Sequence, residues 1–379
     1  MRRDAPILYP YRVLALPDFG WDDAWARLFA ARAPVDTIPA RVTIEFNHIY
    51  RVATADGELQ AQLAGRLRHQ AAGRHELAAV GDWVALRRTA QERAGLIEAI
   101  LPRRSKFSRK AAGDVTEEQV VAANIDTVFL VMGLDRDYNL RRLERYLLTS
   151  YESGARPVIL LSKADLASDV PARVAEVQAV AAGIPVHPTI AVRRALDNGG
   201  IAEPDVDVVE QYLGIGRTGT LLGSSGAGKS TLINALIGEP ILKTREVRSS
   251  DSRGRHTTRH RQLIVLPGRG LLIDTPGMRE LQLWDVSDAA RDTFEDIEQL
   301  ASGCRFTDCR HQEEPRCAVK AAVSDGELAA ERLASYLKLQ NEMRSFKARR
   351  DVRAQIEEKR QNKIVGRAIK QIYKHKGRP

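Results

Sequence analysis

Gly223-Ser-Ser-Gly-Ala-Gly-Lys-Ser-Thr231 constrains this chain more than any other stretch. It follows a short apolar run, Thr218-Gly-Thr-Leu-Leu222, which reads as a strand, and it opens Leu232-Ile-Asn-Ala-Leu-Ile237, which reads as a helix. Strand, glycine-rich turn and helix in that order make a phosphate-binding loop. The glycines let the backbone turn its N–H groups inward, and the helix N-terminus adds partial positive charge. The expectation is a nucleoside triphosphate cradled by Gly223, Ser224, Ser225, Gly226, Ala227, Gly228, Lys229, Ser230 and Thr231. Lys229 would reach the β- and γ-phosphates, and the Ser230 hydroxyl would ligate Mg²⁺. An ordinary glycine-rich turn leaves no reason for Lys-Ser-Thr at the helix start.

A chain of 379 residues predicts several domains. Its 44% apolar content is ordinary for a soluble protein. No run approaches the ~18 apolar residues of a membrane span, and Met1-Arg-Arg-Asp-Ala-Pro6 lacks an apolar signal core, so a cytoplasmic protein without a membrane partner is expected. The three cysteines, Cys304, Cys309 and Cys317, share one short window, which argues against a disulfide framework and for metal or chemistry. The net charge of +9 is local: residues 344–379 hold 13 Lys/Arg against 3 Asp/Glu, and the rest of the chain is near neutral.

Residues 1–40 carry five prolines around a helix-like Trp21–Ala30 and read as an extension that packs locally or stays mobile. Over 41–110 the period is two: Val42, Ile44 and Phe46 alternate with Thr43 and Glu45, and Leu59, Ala61 and Leu63 alternate with Gln60 and Gln62, with turns at Ala55-Asp-Gly57 and Val80-Gly-Asp82. Short strands at this spacing predict a small β-barrel, an OB-type barrel among the candidates. Arg103-Arg-Ser-Lys-Phe-Ser-Arg-Lys110 reads equally as a grip on an RNA backbone or as a solvated linker.

Over 113–280 strands and helices alternate. Thr127–Met132 is continuously apolar, as buried parallel strands are, Leu140, Leu143, Leu147 and Leu148 recur at helical spacing, and Pro157–Leu161, Pro185–His187, Gln262–Leu266 and Gly270–Asp274 read as further strands. This predicts a doubly wound α/β sheet with its ligand at the C-terminal strand ends. Asp274-Thr-Pro-Gly277 falls there: Asp274 can hold Mg²⁺ through water, and the Gly277 N–H can meet a γ-phosphate. Ser162-Lys163-Ala164-Asp165 also falls at a strand end. The Asp165 carboxylate could accept from guanine N1–H and N2–H₂, a donor pair that adenine lacks, although such a tetrapeptide alone is also a common helix start. In the basic stretch Arg245–Arg261, Thr258, or its neighbour Thr257, could complete the Mg²⁺ shell, the plainer reading being a long surface loop.

Cys304-x₄-Cys309-x-His311-x₅-Cys317 supplies three thiolates and an imidazole, a closed tetrahedral set that predicts one structural Zn²⁺ within an α-helical domain at 281–343. Leu328, Leu333, Tyr336 and Leu339 predict an amphipathic helix there. The basic tail at 344–379, with its narrow apolar stripe, could meet RNA, an anionic membrane or a partner helix, or simply be solvated, with RNA favoured.

The motifs occur in the order Ser-Lys-Ala-Asp, phosphate loop, Gly254-Arg-His-Thr-Thr258 and Asp-Thr-Pro-Gly, whereas ordinary GTPases place the base-reading motif last. The chain therefore resembles a circularly permuted GTPase. With Val80-Gly-Asp-Trp-Val84 before the permuted part and Glu314-Pro-Arg-Cys-Ala-Val319 after it, it resembles the ribosome small-subunit-dependent GTPase A family (RsgA, also called YjeQ) over about 41–340. The resemblance implies an OB-fold barrel, a permuted G domain and a zinc domain in a monomer. It also implies hydrolysis of GTP to GDP stimulated by the 30S subunit, contact with 16S rRNA, and a part in late 30S maturation that includes release of another assembly factor. Ser162 stands where GTPases generally have Asn, which implies a weaker link between base and phosphate loop; in the second base-contact loop, Thr189-Ile-Ala191, only the backbone N–H near Ala191 carries over. Met278 occupies the place where many small GTPases have a water-orienting glutamine, so another residue must position the nucleophile. His256 is the candidate, with contact to RNA its alternative role. Two rival readings are an assembly scaffold that uses the nucleotide only as a structural ligand, and a permuted GTPase acting on another RNA or protein.

Overall fold

The computed structural model describes residues 14–46, 48–89, 94–110, 118–192, 194–195, 201–202, 204–238, 261–266, 268–274, 294–306, 309–312, 314–330, 332–334, 336–337 and 340–341. The chain divides into two compact units, Met1–Trp284 and Asp285–Pro379.

In the first unit, α1 (Asp23–Arg32) precedes β1 (Ile38–Phe46), β2 (Ile49–Thr54), β3 (Gly57–Leu63), α2 (Gly65–Gln70), β4 (Trp83–Arg88) and β5 (Ala94–Ile100). These five strands pair in the order β1-β2-β3-β5-β4, and β4 returns to β1, so the sheet closes on itself. All contacts in the ring are antiparallel except β3 with β5. That is an OB-like barrel, as the alternation predicts. Ala40, Val42, Tyr50, Val52, Ala61, Val84, Leu86 and Ile97 fill it. Phe46 departs from the predicted alternation. A register shift between Val42 and Ile44 breaks the two-residue period, and Phe46 ends 48% exposed beside the β1–β2 turn.

Next come β6 (Lys106–Lys110) and β7 (Glu118–Ala123), an antiparallel ribbon, then β8 (Thr127–Gly133), α3 (Leu140–Ser153), β9 (Arg156–Ser162), α4 (Val170–Val180) and β10 (Val186–Thr189). The minor ribbon β11 (Arg194–Ala195) and β12 (Ile201–Ala202), α5 (Asp207–Glu210), β13 (Thr218–Leu222), α6 (Lys229–Ile237), β14 (Arg261–Leu266) and β15 (Gly270–Asp274) follow. The sheet order is β10-β9-β8-β13-β15-β14, parallel as far as β15 and antiparallel at β14. Side chains alternate between two cores. Val128, Leu130 and Met132 pack with Leu143 and Leu147 of α3 and Val177 of α4. Phe129 and Val131 pack with Leu232, Ile233 and Leu236 of α6. Helices on both faces explain why Thr127–Met132 carries no polar alternation.

The barrel is not strung on a free linker. β1 also pairs with β14, Ile44 opposite Gln262 and Glu45 opposite Arg261, so barrel and open sheet form one continuous 11-stranded array. The seam is reinforced from inside by Arg41, 2% exposed, which donates to the Phe19 carbonyl at 2.5 Å, the Asn124 carbonyl at 3.1 Å and Thr218 Oγ1 at 3.1 Å. The segment before the barrel belongs to this core too: Phe19 and Trp25 are buried, and Trp21 and Trp25 lie against Trp83.

The basic run after the barrel is largely committed to structure. Arg103 forms a bidentate pair with the buried Asp82 at 2.8 and 2.7 Å, Arg104 pairs with Asp22 at 2.9 Å over the Trp25 ring, Lys106 meets Glu118 at 2.7 Å, and Phe107 is buried. These residues are therefore part of the folded structure and not a free linker, while the Arg104 and Lys106 side chains remain nearly half exposed, at 45% and 47%.

In the second unit, α7 (Glu295–Ala301) and α8 (Ala318–Ser324) pack together, with Phe294, Ile297, Val319, Ala322, Leu328, Leu333 and Tyr336 buried. Leu339 and the tail at 344–379 lie outside the described residues.

Candidate functional site

The phosphate loop begins where β13 ends and closes into α6 at Lys229. Gly223 lies so close to β8 that a Cβ there would stand 2.3 Å from the Val131 carbonyl oxygen, so only glycine fits. Gly228, the residue before α6, has φ +94°, a left-handed conformation open to glycine at little cost. The Lys229 ammonium lies across the loop and donates to the carbonyls of Gly223 and Ser224 at 2.6 Å each. The first turn of α6 holds Ser230 and Thr231.

Three strand ends converge beside this loop. In register, Ser162 of β9 lies opposite Gly133 of β8 on one side and Thr189 of β10 on the other. The Ser162 hydroxyl, buried at 4% exposure, donates to the Ala227 carbonyl at 2.6 Å. Serine at this position therefore does reach the phosphate loop. Lys163 follows in the left-handed region at φ +60°, then a short 3₁₀ turn, Ala164–Leu166, presents the half-buried Asp165. Thr189 is 1% exposed, and among the described residues its hydroxyl has no hydrogen-bond partner.

Asp274 ends β15, next but one to β8 in the sheet, and Thr220 of β13 donates to the Ile273 carbonyl at 2.9 Å. Asp274, Ser162–Asp165 and the phosphate loop thus all stand at the C-terminal ends of parallel strands, where an open α/β sheet places its ligand. A helix N-terminus, a lysine and a hydroxyl are suited to the phosphates of a nucleotide, and a carboxylate to its cation. His256, Thr257, Thr258, Gly277 and Met278 lie outside the described residues.

The loop after β8 also reaches this site, with no recognised nucleotide motif to mark it. Its Asp135 carboxylate takes the Lys163 ammonium at 2.7 Å, and Asp137 accepts from the Ser224 hydroxyl and from Arg142. An Asp-x-Asp at the end of a buried strand was the available signal.

In the second unit, Cys304, Cys309, His311 and Cys317 bring their ligand atoms within 4.8 Å of one another. His311 Nδ1 is 3.3 Å from Cys317 Sγ and 3.6 Å from Cys304 Sγ. Three sulfurs and an imidazole nitrogen are soft donors, and the cluster could hold a metal ion.

A family model described as RsgA GTPase matches residues 100–284. The small ribosomal subunit biogenesis GTPase RsgA of Opitutus terrae is 48% identical over 362 residues, 93% of this chain and 96% of its own. This chain belongs to the RsgA GTPase family. An RsgA of Xanthomonas axonopodis pv. citri is 46% identical over 342 residues, 87% of this chain and 89% of its own. Among solved structures, YjeQ from Thermotoga maritima superposes with a TM-score of 0.57 at 26% identity, covering 81% of this chain and 98% of that one. YloQ, described as a circularly permuted GTPase, shares the fold with a TM-score of 0.56 at 23% identity, over 83% of this chain and 98% of its own. As an RsgA-family member the chain is a circularly permuted GTPase, an enzyme that hydrolyses GTP and uses Mg²⁺ with it. Among the described residues no helix is long and apolar enough to cross a membrane.

Proposed function

We propose that this GTPase acts on the small ribosomal subunit during its biogenesis, binding 16S rRNA and hydrolysing GTP to GDP and phosphate when the subunit stimulates it. The observation that carries this reading is the 48% identity, over 93% of this chain, with a protein named for that role. The convergence of Ser162–Asp165, the phosphate loop and Asp274 at the ends of neighbouring parallel strands supports the nucleotide half of it.

In this reading Gly223–Thr231 enclose the phosphates, Asp165 selects guanine, and Ser162 and Lys163 hold the base-reading turn. Mg²⁺, held with GTP by Ser230, Thr258 and Asp274, supplies neutralisation of charge on the phosphate oxygens. Lys229 and the Gly277 N–H meet the γ-phosphate, and His256 positions the attacking water in place of the Met278 side chain, which cannot hydrogen-bond it. Cys304, Cys309, His311 and Cys317 hold one Zn²⁺, which stiffens a unit with little core of its own. The domains run 1–40, 41–110, 113–280, 281–343 and 344–379, in a monomer that works in the cytoplasm alongside other assembly factors.

GTP turnover measured with purified 30S subunits, with 50S subunits and with neither tests the reading. Strong stimulation by 30S alone is expected; equal turnover in all three overturns it. Replacing His256→Ala should remove most stimulated hydrolysis and leave GTP binding intact, and near-normal turnover would reassign that residue.

A further inference from the structure

The loop between β8 and α3, Gly133 to Asn139, is built around two partly buried carboxylates that bond residues of the proposed nucleotide site, Lys163 and Ser224. Asp135 Oδ1 accepts the Asp137 backbone N–H at 3.1 Å, while Oδ2 takes the Lys163 ammonium at 2.7 Å. Asp137 Oδ2 accepts the Gly133 N–H at 3.2 Å, and Oδ1 takes Arg142 at 2.6 Å together with the Ser224 hydroxyl. Each carboxylate therefore has one oxygen engaged with the loop's own backbone. The other reaches a residue of a different loop at the site. The backbone is shaped to allow this: a Cβ on Gly133 would stand 2.6 Å from Asp135 Oδ1, so a larger residue would displace the carboxylate. Although burial alone would raise its pKa, the hydrogen bond from Lys163 holds the Asp135 carboxyl below the ordinary aspartate range, so it stays charged at neutral pH.

Lys163 sits between Ser162, which anchors the phosphate loop, and Asp165, which faces the base in the proposed site. A lysine side chain loses up to about 2 kcal/mol of rotamer freedom when it is fixed, and a partner that fixes it beforehand removes that loss from binding. We propose that Asp135 is a positioning residue for guanine nucleotide binding: it holds Lys163 extended along the base-reading turn, while Asp137 holds Ser224, so that one loop sets both the base side and the phosphate side of the site. The inference rests on the nucleotide site as proposed above and adds a third loop to it. Because Asp135 acts through Lys163, on the base side of the proposed site, its effect falls on affinity and not on the chemical step.

The experiment is titration of the full chain with fluorescent GDP and a non-hydrolysable GTP analogue, together with KM and kcat for GTP. Asp135→Ala should weaken both nucleotides about five- to tenfold and raise KM in proportion while kcat is unchanged. Asp135→Glu should recover part of the loss, and Lys163→Met combined with Asp135→Ala should bind no worse than Lys163→Met alone. Asp135→Asn keeps an acceptor for the Asp137 N–H but loses the charge, and it carries the test if the alanine variant melts early. Wild-type affinity in Asp135→Asn, tighter binding in either variant, or a fall in kcat at unchanged KM overturns the inference. Failure of the wild-type chain to bind either nucleotide overturns instead the site on which it rests.

Discussion

The Ser162 hydroxyl at the end of β9 donates to the Ala227 carbonyl of the phosphate loop at 2.6 Å, joining two loops 65 residues apart in the chain. Serine's short side chain suffices because the phosphate loop runs close to the end of β9: a Cβ built on Gly228, next to Ala227, would lie in ordinary contact with Ser162 Oγ, at 3.5 Å. A buried neutral hydrogen bond contributes about 1 kcal/mol net. Ser162→Ala should therefore weaken GTP and GDP alike by about fivefold in an equilibrium titration, and equal affinity would show the tie to be dispensable.

Thr189 lies opposite Ser162 in the parallel ladder, but its hydroxyl is buried with no partner among the described residues. An unmet buried hydroxyl costs about 1–3 kcal/mol. Thr189→Val replaces it with a methyl of similar size and should raise stability by about 1 kcal/mol in urea denaturation, without loss of nucleotide affinity. A destabilised valine variant would mean that the hydroxyl has a partner in solution.

What could be read from the sequence follows how local the cause is. Thr127–Met132 announced a doubly covered strand because both faces of β8 are lined by helices, and alternation at 57–63 announced a barrel strand. The four metal-ligand candidates lie within fourteen residues and come together as their spacing implied. The basic run at 103–110 was ambiguous because the partners that consume it, Asp82 and Asp22, are 21 and 82 residues away. The seam between barrel and sheet was hidden for the same reason: Glu45 and Arg261, paired at 3.0 Å, are separated by 216 residues. Asp135 and Asp137 went unread because Lys163 and Ser224 stand 28 and 87 residues downstream.

Acid should release the N-terminal helix. Asp22 caps α1 by accepting the Trp25 N–H at 2.8 Å, and its bonds to Arg104 hold the carboxyl below the ordinary aspartate range. A carboxyl lowered in the folded state stabilises fully above its unfolded pKa, and that contribution is lost as pH falls through the folded value. The tryptophan emission of Trp21, Trp25 and Trp83 should therefore change in a step below about pH 4. Asp22→Asn should abolish that step and lower stability at pH 7; an unchanged acid transition would assign it to other carboxylates.

Arg41 should be among the least replaceable residues outside the nucleotide site. Burial pushes its guanidinium down to about 10, which still leaves it charged at neutral pH, and it stacks 5.2 Å from the Trp83 ring. Arg41→Met fills much of the volume but strands the Phe19 and Asn124 carbonyls and Thr218 Oγ1. With about 1–3 kcal/mol for each unmet buried group, a loss of about 3 kcal/mol or more is expected in chemical denaturation. Wild-type stability would show that the carbonyls find water.

The Cys304–Cys317 cluster predicts its own metal dependence. Thiolates compete with protons and with chelators for the ion, and a site assembled only in the folded chain couples binding to folding. Purified protein should carry one zinc per chain by elemental analysis. Cys309→Ser and His311→Ala should each lose it, because either leaves three ligands where a closed tetrahedral site needs four. Removing the ion with a strong chelator should expose the backbone around α7 and α8 to hydrogen exchange while leaving the β8–β9 and β13–β15 ladders protected, since those ladders pack within the two cores of the first unit and the cluster belongs to the second. Metal-free protein with unchanged exchange at Cys317–Ser324 would show that the cluster holds together without an ion, through the packing of Val319 and Ala322 alone.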